Sequence, residues 1–430
     1  MNTATSLIFF EDRQVSNFYP LSVSHQIAEL RCGMFSLAEK WCLRFAATDS
    51  HYLTRRALRV YSQENSGRAC NLENLRSPVV ILINPRFLPD DKVIALLQED
   101  DEPLLLSTGE DIVAVRLKSG STQLKRLAAA LQADDPESPF AEIEAFGAQL
   151  PTTAVDLQPF SYLWDLVHQN GAQIIADFEY LQRTRKIRPQ AVPDPNCEIY
   201  AWDNVFVSPG ARIDGQVVLD GRDGPIHIGP DVVIVAQTRV EGPAAIGAQT
   251  QLVGGRIRSG CSFGLQCRVG GEVEESIFHS FSNKYHDGFI GHAYLGEWVN
   301  LGALTTNSDL KNNYGTIKVE LPTGLLNTGQ TKVGCFLGDH VKTGIGTLLT
   351  TGMVVGFATN IFGGGLSGQR FLPGFLWGGA TGFAEYELAK AIATAEVVMP
   401  RRGHELSAAG RELFSHIFAA EAESRAAFVK

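Results

Sequence analysis

Between Ser282 and Gly315 the chain reads SNKYHDGFIGHAYLGEWVNLGALTTNSDLKNNYG. Lys284, His286 and His292 are potential bases in this stretch, set among asparagines, tyrosines and Trp298 that could hold a polar ligand. A histidine exchanges its proton near neutral pH, which suits it to take a proton from an attacking group. Taken singly, each of these residues also fits a turn, because asparagine favours corners and a histidine can be ordinary loop structure.

Chemistry of this kind needs a rigid support, and the flanking sequence is repetitive. From Val207, aliphatic or aromatic residues recur at every sixth position: Val207, Ile213 and Leu219, then Ile228, Ile234, Val240, Ile246 and Leu252. After a slip the series resumes at Ile257, Phe263 and Val269, returns at Leu295 and Leu301, and runs again through Leu337, Leu349, Val355 and Ile361, with Thr343 at the one polar step between Leu337 and Leu349. A period of six matches neither a helix nor a half-buried strand. It predicts a parallel β-helix whose coils each hold three short strands with one inward apolar side chain. The small residue that follows, often glycine, is expected to permit the corner. A β-sandwich would not keep this register. The period loosens at EVEESIFHSFSNKYHDG and at TTNSDLKNNYGTIKVELPTGLLNTGQTK, and loops thrown from a solenoid commonly carry its function.

Upstream, strand-like SLIFF, PVVILIN, PLLLS and DIVAVRL alternate with helix-like segments, the pattern of an α/β layer sheet. HQIAELRCGMFSLAEKWCLRF has helical spacing through Ile27, Leu30, Met34, Leu37 and Trp41, and DKVIALLQ reads as a short helix. Residues 121–150 read as helical. Residues 162–186 form an amphipathic connector, ended by RPQAVPDP and available to cap one end of the solenoid. The expected organisation is an α/β domain over 1–158, a helical linker over 159–190, a β-helix over 191–365, and a C-terminal loop with two helices over 366–430.

With 430 residues, two or three domains are expected. A net charge of −10 argues against a general nucleic-acid or anionic-membrane surface. No apolar run is long enough to span a bilayer, and the opening MNTATSLIFFEDR lacks the basic region of a signal peptide. Seven scattered cysteines (Cys32, Cys42, Cys70, Cys197, Cys261, Cys267 and Cys335) include no Cys-x-x-Cys pair, which suits a reducing cytoplasm.

The motifs GGEVEESIF, SNKYHDGFIGHAYLGEWVNLGALTTNSDLKNNYG, FLGDHVKTGIG and FLWGG resemble the acyltransferase half of the bifunctional family that makes UDP-N-acetylglucosamine. FYPLSVSHQIAELRCGMFSLAEKW and WDLVHQN resemble a divergent branch of the same family. The resemblance implies a nucleotidyltransferase-like α/β domain, a left-handed β-helix of hexapeptide repeats, and a homotrimer with acyl-CoA sites between solenoids. It implies that acetyl-CoA donates to the amine of glucosamine 1-phosphate, with His286 as the base that frees the amine's lone pair. It places Arg258 on the phosphate, a role to which a planar guanidinium is suited. Asn300, Asn313 and Tyr314 would hold the sugar, and Lys318 would be a further phosphate or sugar contact. The family's lysine near Ser276 is absent, and Lys284 is the candidate to supply its charge.

The first half lacks the family's Gly-rich phosphate loop, with FFEDRQVSNFYPLS in its place, and has SHQ at 24–26 where the branch carries Thr-Arg-Pro. Arg13, Arg31, Lys40, Asn84 and Arg86 remain to meet a nucleoside triphosphate such as UTP or dTTP. Nucleotidyl transfer to a sugar 1-phosphate would call on Mg²⁺ to neutralise phosphate charge. No metal ligand is identified, and Glu11 and Asp12 read as solvated acids. Two other readings are a zinc-dependent hexapeptide-repeat hydratase using His279, His286 and His292, and a non-catalytic sugar-nucleotide-binding protein.

Overall fold

The computed structural model describes residues 5–45, 49–68, 72, 75, 77–131, 138–185, 193–366 and 368–429. Cys70, residues 132–137 of the helical stretch and residues 186–192 of the helix break lie outside these. The chain divides into two units. The first comprises residues 1–18, 24–30 and 35–161, and the second takes residues 19–23, 31–34 and 162–430.

In the first unit a mixed sheet runs in the order Asp49–Tyr52, Thr5–Phe9, Val79–Ile83, Asp111–Lys118, Leu104–Thr108, Thr152–Ala154. The first three strands are parallel, and Asp111–Lys118 is antiparallel to both its neighbours. Alternate side chains of a strand enter opposite faces. Thus Leu7 and Phe9 pack with Trp41, Ile81 and Val93, while Ile8 and Phe10 pack with Val80, Leu82 and Leu124. Asp90 caps the helix Asp91–Gln98 by accepting from the backbone N–H groups of Lys92 and Val93.

The helix expected over 25–45 forms only from Leu37 to Phe45. Ahead of it lie a 3-10 turn, Ile27–Glu29, and two short strands, Arg31–Cys32 and Phe35–Ser36. Gly33, at φ +81°, reverses the chain between those strands, a conformation a helix interior cannot contain. Its N–H donates to Asn170 Oδ1 at 2.7 Å, and the Met34 N–H donates to Asp177 Oδ2 at 2.9 Å. Apolar spacing was present, but these tertiary bonds outweighed it.

The second unit is a parallel β-helix. Val207, Ile228, Ile246, Phe263, Phe278, Leu295, Leu337, Val355 and Leu372 form the inward ladder of one face. Ile228, Ile234, Val240, Ile246 and Leu252 are all fully buried in one core. The ladder continues through Phe371–Leu372 and Leu376–Gly379, one coil beyond the expected end at 365. Inward Leu372 and Leu376 extend the core after a stretch of consecutive glycines has broken the six-residue spacing.

Glycines after the inward residues serve a purpose other than the one expected. Left-handed corners are taken by Asp231, Gln249, Gln266, Phe281, Trp298, His340 and Ala358. By contrast, a Cβ on Gly247 would stand 2.3 Å from the Gly264 carbonyl oxygen of the next coil. Glycine is required there for close stacking rather than for its dihedral freedom.

The helix Leu163–Arg185 flanks the solenoid instead of capping an end. It lies along the strands Ala244–Ile246 and Cys261–Phe263, and Asn170 Nδ2 donates to the Gly260 carbonyl at 2.8 Å. After the last coil come the helices Leu388–Val398, Ala408–Ala420 and a short third, Ala422–Ala426. Among the described residues, six cysteines are free and no helix is long and apolar enough to cross a membrane.

Candidate functional site

His286 lies in the exposed turn between the strands Asn283–Lys284 and Phe289–Gly291. It lines a cavity of about 360 Å³ with Arg268, Asn283, Asn300, Gly302 and Ile345. The Tyr285 ring stands edge-on to the imidazole, with centroids 5.4 Å apart. Adjacent coils bring these residues together, since Asn283 pairs in register with Arg268 on one side and Asn300 on the other. Asn283 Nδ2 donates to Asn300 Oδ1 at 3.1 Å, which orients both amides along the wall.

Lys284 occupies an inward position, in register with Val269 of the preceding coil. Its side chain is almost fully buried, and Nζ donates to the carbonyls of Gly270 at 3.1 Å and His286 at 2.5 Å. Burial pushes the amine down to about 8, partly countered by Asp287. Lys284 therefore braces the His286 turn from inside the coil. Ser276, near which the family's lysine was expected, is a buried corner residue whose hydroxyl donates to the Glu274 carbonyl and accepts from the Ala293 N–H.

The other solenoid candidates do not line the His286 cavity. Half-exposed Arg258 sits 3.6 Å from Glu272 and 3.5 Å from Glu274. Asn313, Tyr314 and Lys318 belong to the excursion between the strands Thr306–Asn307 and Cys335–Leu337. Asn313 Oδ1 accepts from the Gly315 N–H, Tyr314 is 72% exposed, and Lys318 is an exposed residue opening a hairpin paired with Gly324–Asn327. His292 Nδ1 lies 2.9 Å from Asp309 Oδ2, which ties the base of the excursion to the coil. His279 instead faces Glu297 at 3.3 Å. Among the described residues no three His, Cys, Asp or Glu side chains are placed to share a metal, so the zinc arrangement is not assembled within one chain.

In the first unit, Glu11 and Asp12 follow the strand Thr5–Phe9, and neither is a solvated acid. Arg86 is buried, with Nε donating to Asp12 Oδ2 at 2.8 Å and Nη2 donating to Asp111 Oδ1 at 3.0 Å. Asn84 Nδ2 also donates to Asp12 Oδ2, at 2.8 Å. Glu11 Oε2 accepts from Arg55 Nε at 2.7 Å, and burial raises its carboxyl although Arg55 opposes the rise. Both acids are committed to arginines, so they do not fit as ligands for Mg²⁺. Arg13 pairs with Glu144 at 2.9 Å, Lys40 is buried, and Arg31 belongs to the second unit, where its Nη1 donates to the Met34 carbonyl.

Arg268 and Asn283 escaped the reading of the sequence. Their signal was positional: both immediately precede an inward residue, and their stacking is visible only once the coil register is known.

A family model for a sugar nucleotidyl transferase matches residues 7–186. This segment is similar to that family. The chain is also 32% identical over 93 residues to a bifunctional sugar-1-phosphate nucleotidylyltransferase/acetyltransferase of Sulfurisphaera tokodaii, covering 22% of this chain and 23% of the relative. Bifunctional protein GlmU of Bordetella parapertussis is 32% identical over 160 residues, which is 34% of this chain and 35% of the relative. GlmU of Rippkaea orientalis is 26% identical over 216 residues, covering 45% and 47%. The chain thus spans less than half the length of each of these curated relatives. A nucleotidyl transferase segment joined to a parallel β-helix is consistent with their bifunctional organisation.

Proposed function

We propose that this chain is a transferase of sugar-nucleotide biosynthesis. Its solenoid moves the acetyl group of acetyl-CoA to the amine of an amino-sugar 1-phosphate, glucosamine 1-phosphate being the favoured acceptor. The observation that carries this reading is His286 in an open cavity with Asn300, its turn braced by a buried lysine. An amine is protonated near neutral pH and cannot attack until a base removes the proton. In this reading His286 takes that proton, the nitrogen forms a bond to the acetyl carbonyl carbon, and the carbon–sulfur bond breaks to release CoA. Asn283 and Asn300 are amides well placed to orient sugar hydroxyls.

Arg258, Asn313, Tyr314 and Lys318 act on the substrate from a neighbouring solenoid in a homotrimer. Exposed apolar side chains support that assembly: Ile345, which lines the cavity, is 72% exposed, and Leu304, Leu348 and Leu366 stand uncovered on the same coils. The first unit, on the strength of its family match, takes UTP or dTTP and a sugar 1-phosphate.

The test is a CoA-release assay with glucosamine 1-phosphate as acceptor. His286→Ala is expected to lower turnover by roughly a hundredfold to ten-thousandfold, with folding and acetyl-CoA binding retained. Unchanged turnover in a folded variant would remove His286 as the base and with it this mechanism.

A further inference from the structure

The outward row of the His286 face contains a second compartment. Asn300 pairs in register with Lys342, so Arg268, Asn283, Asn300 and Lys342 stand on successive coils. The turn Met399–Arg402 contributes to the same site, and Arg402 Nη2 donates to Asn283 Oδ1 at 2.8 Å. Together they line a cavity of about 190 Å³ whose wall carries Arg268, Lys342, Arg401 and Arg402 and no aspartate or glutamate. Trp298 and Phe281 form its apolar side, stacked with centroids 4.3 Å apart and planes at 10°.

The cations here are under-compensated. Arg402 Nε is buried with no acceptor. Burial lowers the Arg402 guanidinium, and neighbouring Arg268 and Arg401 add to the effect. Lys342 has a carbonyl for company, that of His340 at 3.0 Å, and burial pushes its amine down to about 8. Gathering like charges away from water is costly unless an anion joins them. Guanidinium forks match the oxygens of a phosphate group in particular. Arg268, Asn283 and Asn300 line both this cavity and that of His286, so one extended ligand can occupy the two.

We propose that this compartment binds a phosphate ester carried by a substrate of the His286 site, held by Arg268, Lys342 and Arg402. The identity of the carrier rests on the acyl-transfer reading; the anion site does not. Two carriers share the chemistry: the acyl donor, through a phosphate of CoA, and the acceptor, through its sugar phosphate.

Calorimetric titration of the full chain with inorganic phosphate, CoA, dephospho-CoA and glucosamine 1-phosphate tests the proposal without turnover. Each lost charge-assisted bond is expected to weaken the relevant ligand about ten- to a hundredfold, so Arg402→Gln and Lys342→Met should both weaken inorganic phosphate. A matching loss for CoA but not for dephospho-CoA assigns the site to the donor's 3′-phosphate. A loss for both assigns it to the donor's diphosphate, and a loss for glucosamine 1-phosphate assigns it to the acceptor. Unchanged affinity for all four ligands in both variants, each shown folded by circular dichroism, would overturn the proposal. A failed His286→Ala test would remove the acyl-transfer reading and leave these binding results standing.

Discussion

Replacing Lys284 by methionine should separate the stability of the solenoid from its activity. The lysine stands in the inward ladder between apolar Val269 and Leu301, and burial moves its amine from the ordinary 10.5 down to about 8. Each pH unit between those values corresponds to about 1.36 kcal/mol, so keeping the folded amine charged costs about 3 kcal/mol. A depressed lysine binds fewer protons when folded than when unfolded over this interval, so stability rises with pH there. Below about 8 the full cost is present, and above 10.5 it has vanished. The thioether that replaces the amine in Lys284→Met cannot titrate. In urea unfolding, wild type should therefore gain about 3 kcal/mol on the variant between about pH 8 and pH 10.5. The carbonyls of Gly270 and His286 lose their donor in the variant, but that cost is the same at every pH and cancels from the comparison. Activity should move independently. With its carbonyl released, the His286 turn shifts, and misplacement by about 1 Å costs on the order of a hundredfold in turnover. Parallel stability curves for the two proteins would refute the buried-charge argument. Full activity in Lys284→Met would refute the bracing role.

Arg86→Met should destabilise the first unit by about 3–5 kcal/mol, because it strands the buried Asp12 carboxylate. The double variant Asp12→Asn/Arg86→Met should recover most of that loss in urea unfolding, and equal destabilisation of single and double variants would count against the pair. Ile345→Glu places a charge on the most exposed apolar residue of the His286 cavity. It should shift the sedimentation of the chain from trimer towards monomer, and a wild type that sediments only as monomer would end the inter-subunit reading.

The solenoid was legible because one rule acts on every coil: an inward position must be apolar, and Ile228, Ile234, Val240, Ile246 and Leu252 obey it at fixed spacing. Residues 25–36 were not legible as sheet and turn, because bonds from Asn170 and Asp177, far along the chain, decide that conformation. His286 and Asn300 could be picked out by likeness to a family. Arg268, Lys342 and Arg402 could not, since their proximity depends on coil register and on the long excursion between Asn300 and Lys342. The arginine partners of Glu11 and Asp12 were hidden for a similar reason: Arg55 approaches from just ahead of the helix Arg56–Ser66 and Arg86 from the turn after the strand Val79–Ile83.

The coil that carries the candidate base and the two coils after it each hold a polar group in their interior. Lys284 faces inward in the first of them. Asn307 does so in the next coil, satisfied by exchanging bonds with the Gly291 backbone of the His286 coil, its Oδ1 accepting from the N–H at 2.8 Å and its Nδ2 donating to the carbonyl at 2.9 Å. One coil further on, Thr343 bonds to Thr305 of the Asn307 coil at 2.7 Å. A globular core would spread the cost of such groups through all its packing, but in a solenoid each coil contacts only its neighbours and the energies add nearly independently. Apolar coils from Val207 to Val273 on one side and from Leu349 to Leu376 on the other can therefore hold the structure while the middle coils carry the polar load. Placed at an end, the same coil would have one supporting neighbour and would fray. Its position in the middle of the stack gives an exposed histidine a fixed wall on which to work.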